Sequence, residues 1–281
     1  MPDTLQKLRI GPLEVGERCA PLLIAGPCVL EDMETALQIG RTAMSAAEAN
    51  GFSYMFKASF DKANRTSITS YRGPGIKKGM EMLREIKACL RVPVISDIHL
   101  PEQAEVVKEV LDCIQIPAFL CRQTDLLRAA AQTGLPVNVK KGQFMAPWDM
   151  KHVVAKLREC GAFRVLLTER GTSFGYNNLV VDMRSLAIMR SFGAPVIFDA
   201  THSVQLPGGG DGCSSGQREF VPVLARAACA VGVNGLFLEV HTDPNKALCD
   251  GPNSLSVERL PELLRTLKAV MHAVSHVSDR V

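Results

Sequence analysis

Several short apolar runs in this chain end on a charged, polar or nucleophilic side chain. In chain order the ends offer Cys28; Lys57 and Lys62; Asp97 and His99; Gln115; Lys140 and Lys141; Arg170; Asp199 and His202; Glu239 and His241. They sort into two chemistries. Lys57, Lys62, Arg65, Lys140 and Arg170 are cations, and lysine's compact charge and arginine's planar fork complement phosphates and carboxylates. A surface position accounts for Lys141, but poorly for Lys57 and Lys140, which finish apolar runs. The first group therefore points to small, multiply anionic substrates. Cys28, His202, Glu239 and Asp250 form the second group. Thiol, imidazole and two carboxylates make a mixed donor set for zinc, iron(II), manganese or cobalt. No CxxC or HExxH spacing links the four. Taken singly, Cys28 reads as a buried thiol and His202 as a hydrogen-bonded histidine, and only a fold that gathers distant segments makes them a site.

The elements that must position these residues recur with a regular rhythm. Apolar runs at Leu22–Ala25, Ser53–Lys57, Pro93–Ser96, Ile114–Ala118, Pro136–Val139, Arg164–Leu167, Pro195–Phe198 and Gly235–Leu238 read as strands buried on both faces. Helical patterns alternate with them over Asp32–Asn50, Gly75–Leu90, Glu102–Leu111, Thr124–Gln132, Asp149–Glu159, Asn178–Ser191, Gln217–Val231 and Val257–His276. This alternation predicts a single α/β domain spanning residues 1–281, a TIM (β/α)8 barrel rather than an open doubly wound sheet. Barrel active sites lie at the C-terminal ends of the strands, where the polar residues fall. Lys7–Ile10 and Leu13–Val15, around Gly11-Pro12, predict a hairpin within an extension over residues 1–20 that plugs the other end. Pro207–Gly216, with three consecutive glycines, reads as a lid and not as a phosphate loop, having neither GxGxxG nor GKS/T. Trp148 is expected under a loop or at a subunit contact.

Composition narrows the function classes. The chain has 281 residues, 47% hydrophobic and 22% charged, which excludes disordered and collagen-like classes. A net charge of +3 and 5% aromatic residues give no basis for nucleic-acid binding. No run approaches the roughly 20 apolar residues of a membrane span, and the N-terminal segment is too polar for a signal peptide. Nine cysteines without scaffold spacing read as reduced thiols of a cytoplasmic protein.

Several segments then carry a resemblance. Lys57-Ala-Ser-Phe-Asp-Lys-Ala-Asn-Arg65, Gln115-Ile-Pro-Ala-Phe119, Arg122-Gln-Thr-Asp125, Asn138-Val-Lys-Lys-Gly-Gln143 and Phe174-Gly-Tyr-Asn-Asn-Leu-Val-Val-Asp182 closely resemble the 3-deoxy-D-manno-octulosonate 8-phosphate synthase family, from about Leu22 to the last helix. The resemblance implies a cytoplasmic homotetrameric barrel. It would condense phosphoenolpyruvate with D-arabinose 5-phosphate, releasing phosphate, for the lipopolysaccharide inner core. By motif, Lys140, Arg170, Arg122, Gln115 and the Ala118 backbone would hold the phosphoenolpyruvate phosphate. Lys57, Ser59 and Lys62 would surround its carboxylate and reacting carbons. Asn64 and Arg65 would bind arabinose 5-phosphate, and Asp97 would lie near the sugar hydroxyls. Lys57, Lys62, Lys140, Asp97 and His202 are the catalytic candidates.

One branch of the family requires a divalent metal and has cysteine after the first barrel strand. Ala25-Gly-Pro-Cys28, Asp199-Ala-Thr-His202, Leu238-Glu239 and Cys249-Asp250 match its ligand motifs, so the resemblance implies a metal held by Cys28, His202, Glu239 and Asp250. Leu100 and Thr242 depart from the family's usual glutamate and proline. Two other functions compete: a 3-deoxyheptulosonate 7-phosphate synthase using erythrose 4-phosphate, and a non-catalytic sugar-phosphate-binding paralogue. The first has Lys-Pro-Arg-Thr where this chain has Lys62-Ala-Asn-Arg65.

Overall fold

Short β-rich runs buried on both faces cannot remain single strands, because their backbone donors and acceptors need partners. In the computed structural model, which describes residues 7–209 and 214–275, they pair side by side in parallel. Two strands, β1 (Leu8–Ile10) and β2 (Leu13–Val15), form an antiparallel hairpin turned at Gly11, whose φ of 53° suits glycine. Next come β3 (Leu22–Gly26), α1 (Met33–Ala49), β4 (Ser53–Lys57), α2 (Ile76–Leu90), β5 (Val94–Asp97), α3 (Gln103–Val107), β6 (Cys113–Ile116), α4 (Thr124–Gln132), β7 (Val137–Lys140), α5 (Met150–Glu159) and β8 (Val165–Glu169). A two-stranded ribbon, β9 (Thr172–Ser173) with β10 (Leu179–Val180), precedes α6 (Arg184–Arg190) and β11 (Val196–Asp199). A second ribbon, β12 (Gln205–Leu206) with β13 (Ser215–Gly216), precedes α7 (Val221–Val231), β14 (Gly235–His241), β15 (Leu255–Ser256) and α8 (Leu260–Ser275). The strands β3 to β8, then β11 and β14, form the ring, which closes through β14 pairing with both β3 and β11.

The predicted (β/α)8 barrel is therefore the observed fold, with differences at element ends. The strand expected to reach Ala118 stops at Ile116, because Pro117 offers no N–H to a ladder and the chain turns into a 3-10 helix at Ala118–Leu120. The helix expected from Asn178 begins at Arg184. Leu179–Val180 pair with Thr172–Ser173 instead, and the Asp182 carboxylate accepts the Arg184 N–H at 3.0 Å. Gln217–Phe220 and Val257–Arg259 precede α7 and α8 as turns, and Pro222 and Pro261 sit in the first turns. His276, residues 1–6 of the expected extension and residues 210–213 of the expected lid lie outside the described residues.

Strand side chains alternate in direction with a period of two, and this period builds the interior. Leu22, Ile24, Met55, Ile95, Cys113, Leu166, Ile197 and Phe237 form one buried apolar cluster with Leu8, Ile10 and Val15 of the hairpin. The hairpin thus plugs the N-terminal end. Two residues further along the ring strands come Lys57, Asp97, Gln115, Thr168, Asp199 and Glu239, every one of them buried. The larger apolar cluster lies between the ring and the surrounding helices.

Candidate active site

At the C-terminal end of the ring the polar layer opens into a cavity of about 300 Å³. Lys57, Lys62, Asn64, Arg65, Asp97, Gln115, Ala118, Lys140, Arg170, His202, Glu239 and Asp250 all line it. Three sequence-predicted residues do not. Ser59 is buried beneath and hydrogen-bonds Asp97, Cys28 lies behind the wall against Cys249, and Arg122 is exposed outside the cavity. A second cavity of about 530 Å³ lies near the N-terminal ends of β3 and β14, lined by Pro21, Asn234 and residues of α6 to α8. None of the predicted site residues reaches it.

The buried cations are held by carboxylates from strands one removed in the ring, β3 lying between Lys57 and Glu239 and β8 between Lys140 and Asp199. Lys57 Nζ donates to Glu239 Oε1 at 2.8 Å and to the Cys28 carbonyl at 3.0 Å, and Lys62 Nζ lies 3.7 Å from the same Glu239 oxygen. Lys140 donates to Asp199 and stands 3.5 Å from the centre of the Phe237 ring, a cation–π contact at the cavity floor. Burial pulls the Lys140 ammonium below the usual lysine range, although Asp199 pushes the other way. For Asp97, burial alone would raise the carboxyl, yet Lys57 and Lys62 hold it well below the usual range. Ser59 and Gln115 both donate to Asp97, and Asn138 donates to Gln115 Oε1 at 3.1 Å, so Gln115 is held between Asp97 and Asn138 at the cavity wall. Arg170 Nη2 donates to Gln205 Oε1 at 2.8 Å, while its buried Nη1 has no partner among the described residues and belongs to a side chain lining the cavity. A free guanidinium donor in such a place is a ready anion contact.

The metal-type donors fall into two overlapping groups. His202, Glu239 and Asp250 place ligand atoms within 4.8 Å of one another, and Cys28, Cys249 and Asp250 do the same. His202 Nε2 is 3.6 Å from both Glu239 Oε2 and Asp250 Oδ2. Tetrahedral bonds of about 2.0–2.3 Å set ligand atoms about 3.3–3.8 Å apart, so this spacing fits a bound cation. Among the described residues Glu239 Oε2 is buried without a hydrogen-bond donor, as a ligand atom would be. Asp199 Oδ2 lies 2.8 Å from His202 Nδ1, which turns Nε2 toward the other two donors. Burial opposes a charged imidazole, but Asp199 raises His202 above the usual histidine range. Asp250 takes a φ of 48°, uncommon for aspartate, in the loop after β14. Burial and the adjacent Cys249 sulfur, 2.9 Å away, push the Cys28 thiol up.

Several residues escaped the sequence reading. In the sequence Cys249 stands out only as Asp250's neighbour, Phe237 only within an apolar run, and Asn138 only within an apolar run and a family segment. The signal for Phe237 was its position two before Glu239, which a period of two places directly beneath. Lys141, expected at the surface, is fully buried. Trp148 is 58% exposed and does not sit under a loop.

The chain is similar to known proteins over nearly its whole length. The model of the DAHP synthetase I family matches residues 7–276. A protein of Nitratidesulfovibrio vulgaris (strain DP4) is 64% identical over 255 residues, which are 91% of this chain and 93% of that one. One of Desulfotalea psychrophila is 61% identical, covering 92% and 93%, and one of Geobacter sp. (strain M21) is 58% identical, covering 94% and 97%. All three bear the name 2-dehydro-3-deoxyphosphooctonate aldolase. With nearly its whole length matched and a ring of strands carrying the site, this chain belongs to the DAHP synthetase I family.

Proposed function

We propose that the protein condenses phosphoenolpyruvate with D-arabinose 5-phosphate and water, giving 3-deoxy-D-manno-octulosonate 8-phosphate and phosphate. The observation that carries this reading is a cavity lined by five cations, Lys57, Lys62, Arg65, Lys140 and Arg170, with one Arg170 donor unpartnered among the described residues. Two phosphorylated substrates cannot approach each other without such charge compensation. The relatives' name supplies the carbon count: an octonate needs three carbons from phosphoenolpyruvate and five from a pentose. A heptulosonate synthase would need a four-carbon sugar, and Lys62-Ala-Asn-Arg65 does not resemble its Lys-Pro-Arg-Thr. A passive sugar-phosphate binder would have no use for the donor set at His202, Glu239 and Asp250.

In this reading the phosphoenolpyruvate phosphate sits at Lys140, Arg170 and the Ala118 backbone, and Arg122, exposed outside the cavity, would join only by reaching over its rim. Lys57 and Lys62 face its carboxylate and the reacting carbons. Asn64 and Arg65 take the sugar phosphate, and Asp97, held by Ser59 and Gln115, accepts from the sugar hydroxyls. C3 of phosphoenolpyruvate attacks the aldehyde C1 while water adds at C2, and the resulting hemiketal phosphate loses phosphate by C–O cleavage. Holding both substrates in register makes the bond-forming step effectively unimolecular. Cys28, His202, Glu239 and Asp250, with Cys249 adjacent, would hold a divalent zinc, iron, manganese or cobalt ion. That ion would supply Lewis acidity toward the aldehyde oxygen or the attacking water.

The remaining expectations belong to the same reading. Exposed aromatic residues at the cavity end, Phe119, Phe144, Trp148, Phe174 and Tyr176, would meet neighbouring subunits in a homotetramer, which light scattering would size. Among the described residues no helix is long and apolar enough to cross a membrane, and a cytoplasmic place in lipopolysaccharide precursor synthesis fits the substrates.

The deciding experiment measures phosphate release from the two substrates before and after dipicolinate treatment, with divalent metal added back. Loss on chelation and recovery on add-back supports substrates and metal together. Activity that survives verified metal removal keeps the synthase and discards the metal. No release with arabinose 5-phosphate, but release with erythrose 4-phosphate, overturns the substrate assignment.

A further inference from the structure

One cation of the ring is absent from the scheme above. Lys141 follows Lys140 at the end of β7, so its side chain points away from the barrel axis, yet it is 0% exposed. Its Nζ lies 2.9 Å from Thr172 Oγ1, 3.3 Å from the Gly142 carbonyl, and 3.4 Å from the carbonyls of Met145 and Gly171. The Glu169 Oε1 atom is 3.5 Å away. An ammonium has three protons, and here five acceptors from two loops surround it. Burial disfavours its charge and Glu169 restores part of it.

Glu169 has a second task. Its Oε1 accepts the backbone N–H groups of Arg170 at 3.0 Å and Gly171 at 2.7 Å, closing a tight turn in which Gly171 has a φ of 92°. The Arg170 guanidinium springs from that turn into the cavity. On the other side, Gly142 opens the loop that carries Gln143, whose side chain lines the cavity and whose carbonyl accepts from the Ser173 N–H at 3.0 Å. A Cβ on Gly142 would come within 3.0 Å of the Ala118 carbonyl, so this loop also abuts the third element of the anion site.

We infer that Lys141 and Glu169 are positioning residues: their buried contact bolts the loop after β7 to the loop after β8 and so sets the spacing of Lys140, Arg170 and Ala118 around one phosphate group. The inference rests on the phosphoenolpyruvate reading for the identity of that phosphate. Neither side chain touches the substrate. Their effect is on how closely three donors converge, a geometry in which displacement of about 1 Å costs rate steeply.

The test uses the full chain with metal. Lys141→Met and Glu169→Gln are compared with wild type by KM for each substrate, by kcat, and by calorimetric binding of inorganic phosphate. Lys141→Met is expected to raise the KM for phosphoenolpyruvate and the phosphate Kd together, by about tenfold or more, with the KM for arabinose 5-phosphate changed less than about twofold. Glu169→Gln keeps an acceptor for the two N–H groups and should show a smaller shift in the same direction. Lys87→Met, which breaks the 2.9 Å pair with Asp112 outside the cavity, is the stability control and should lower Tm without moving either KM. If Lys141→Met does not fold, Thr172→Val removes one partner of the ammonium and should move the phosphate Kd by about two- to fivefold. A fall in Tm with both KM values and the phosphate Kd unchanged overturns the inference. Wild-type protein that binds inorganic phosphate but does not turn over phosphoenolpyruvate would instead overturn the functional reading, leaving the phosphate Kd series to judge the positioning role.

Discussion

Lys57 and Glu239 meet at 2.8 Å across the barrel mouth, from strands β4 and β14, with side chains only 1% and 0% exposed. Burying such a pair carries a desolvation penalty, but removing one partner costs more, because the other charge is left buried and uncompensated. Glu239 sits among Lys57, His202, Lys62 and Lys140; burial opposes its charge, yet these neighbours hold it well below the ordinary glutamate range.

Replacing Lys57 by methionine leaves that carboxylate with Lys62 at 3.7 Å as its nearest ammonium. The expected cost is about 3–5 kcal/mol, or about 10 °C in Tm. Urea and thermal denaturation of the variant measure it. An unchanged midpoint would show that Glu239 is neutralised in some other way.

Cys28→Ser should lower metal content well beyond the roughly 10–100-fold typical of losing an outer partner, and abolish most activity in a folded protein. Mass spectrometry of bound metal and circular dichroism provide the readouts. Full metal occupancy with wild-type turnover would remove Cys28 from the ligand set.

Arg65→Ala removes a charge-assisted contact of about 1.5–3 kcal/mol, so the KM for arabinose 5-phosphate should rise about 10–100-fold. The KM for phosphoenolpyruvate should stay within about twofold. Equal increases in both would contradict the assignment of Arg65 to the sugar phosphate. Arg65 Nη1 also lies 3.7 Å from Asp250 Oδ1, so the variant's metal content is measured alongside.

Asp97 makes stability depend on pH with a definite sign. Its folded-state carboxyl is depressed by Lys57 and Lys62 in spite of burial. The contribution is therefore complete above the unfolded value near 3.9, and it is lost as pH falls from there through the folded value. Asp97→Asn should be less stable than wild type at pH 7, and the gap should narrow as pH drops below about 4. Denaturant midpoints at pH 7, 5 and 3 follow it. A gap that stays constant across the range would show that the charge on Asp97 does not stabilise the fold.

The barrel was legible because its strands are continuous apolar runs and its helices have a 3.6-residue period, both local properties of the chain. The strand-end residues followed from the barrel itself: once Lys57, Asp97 and Glu239 end parallel strands, closure faces them toward one axis. Lys141 was misread for a corresponding reason. Its burial depends on Glu169 at the end of β8 and on the carbonyls of Met145 and Gly171, supplied by loops whose course no local pattern announces. The β9–β10 ribbon is similar, since Leu179–Val180 suit helix or strand until Thr172–Ser173 arrive beside them. Cys249 lies in a loop after the last ring strand, and its 2.9 Å approach to Cys28 joins residues 221 positions apart.

The hairpin of Leu8–Ile10 and Leu13–Val15 makes the barrel, among the described residues, a vessel with one mouth. Ile10 and Val15 stop its lower end at 0% exposure, and Phe237 floors the chamber above them. Whatever enters must share a doorway with whatever leaves. In the proposed reaction, freed phosphate would depart along the path by which the next phosphoenolpyruvate arrives, and until it left it would hold the three donors proposed for that substrate, Lys140, Arg170 and the Ala118 backbone. On that reading turnover would be a queue, in which the two phosphates exclude one another and product phosphate competes with the enolpyruvate rather than with the sugar.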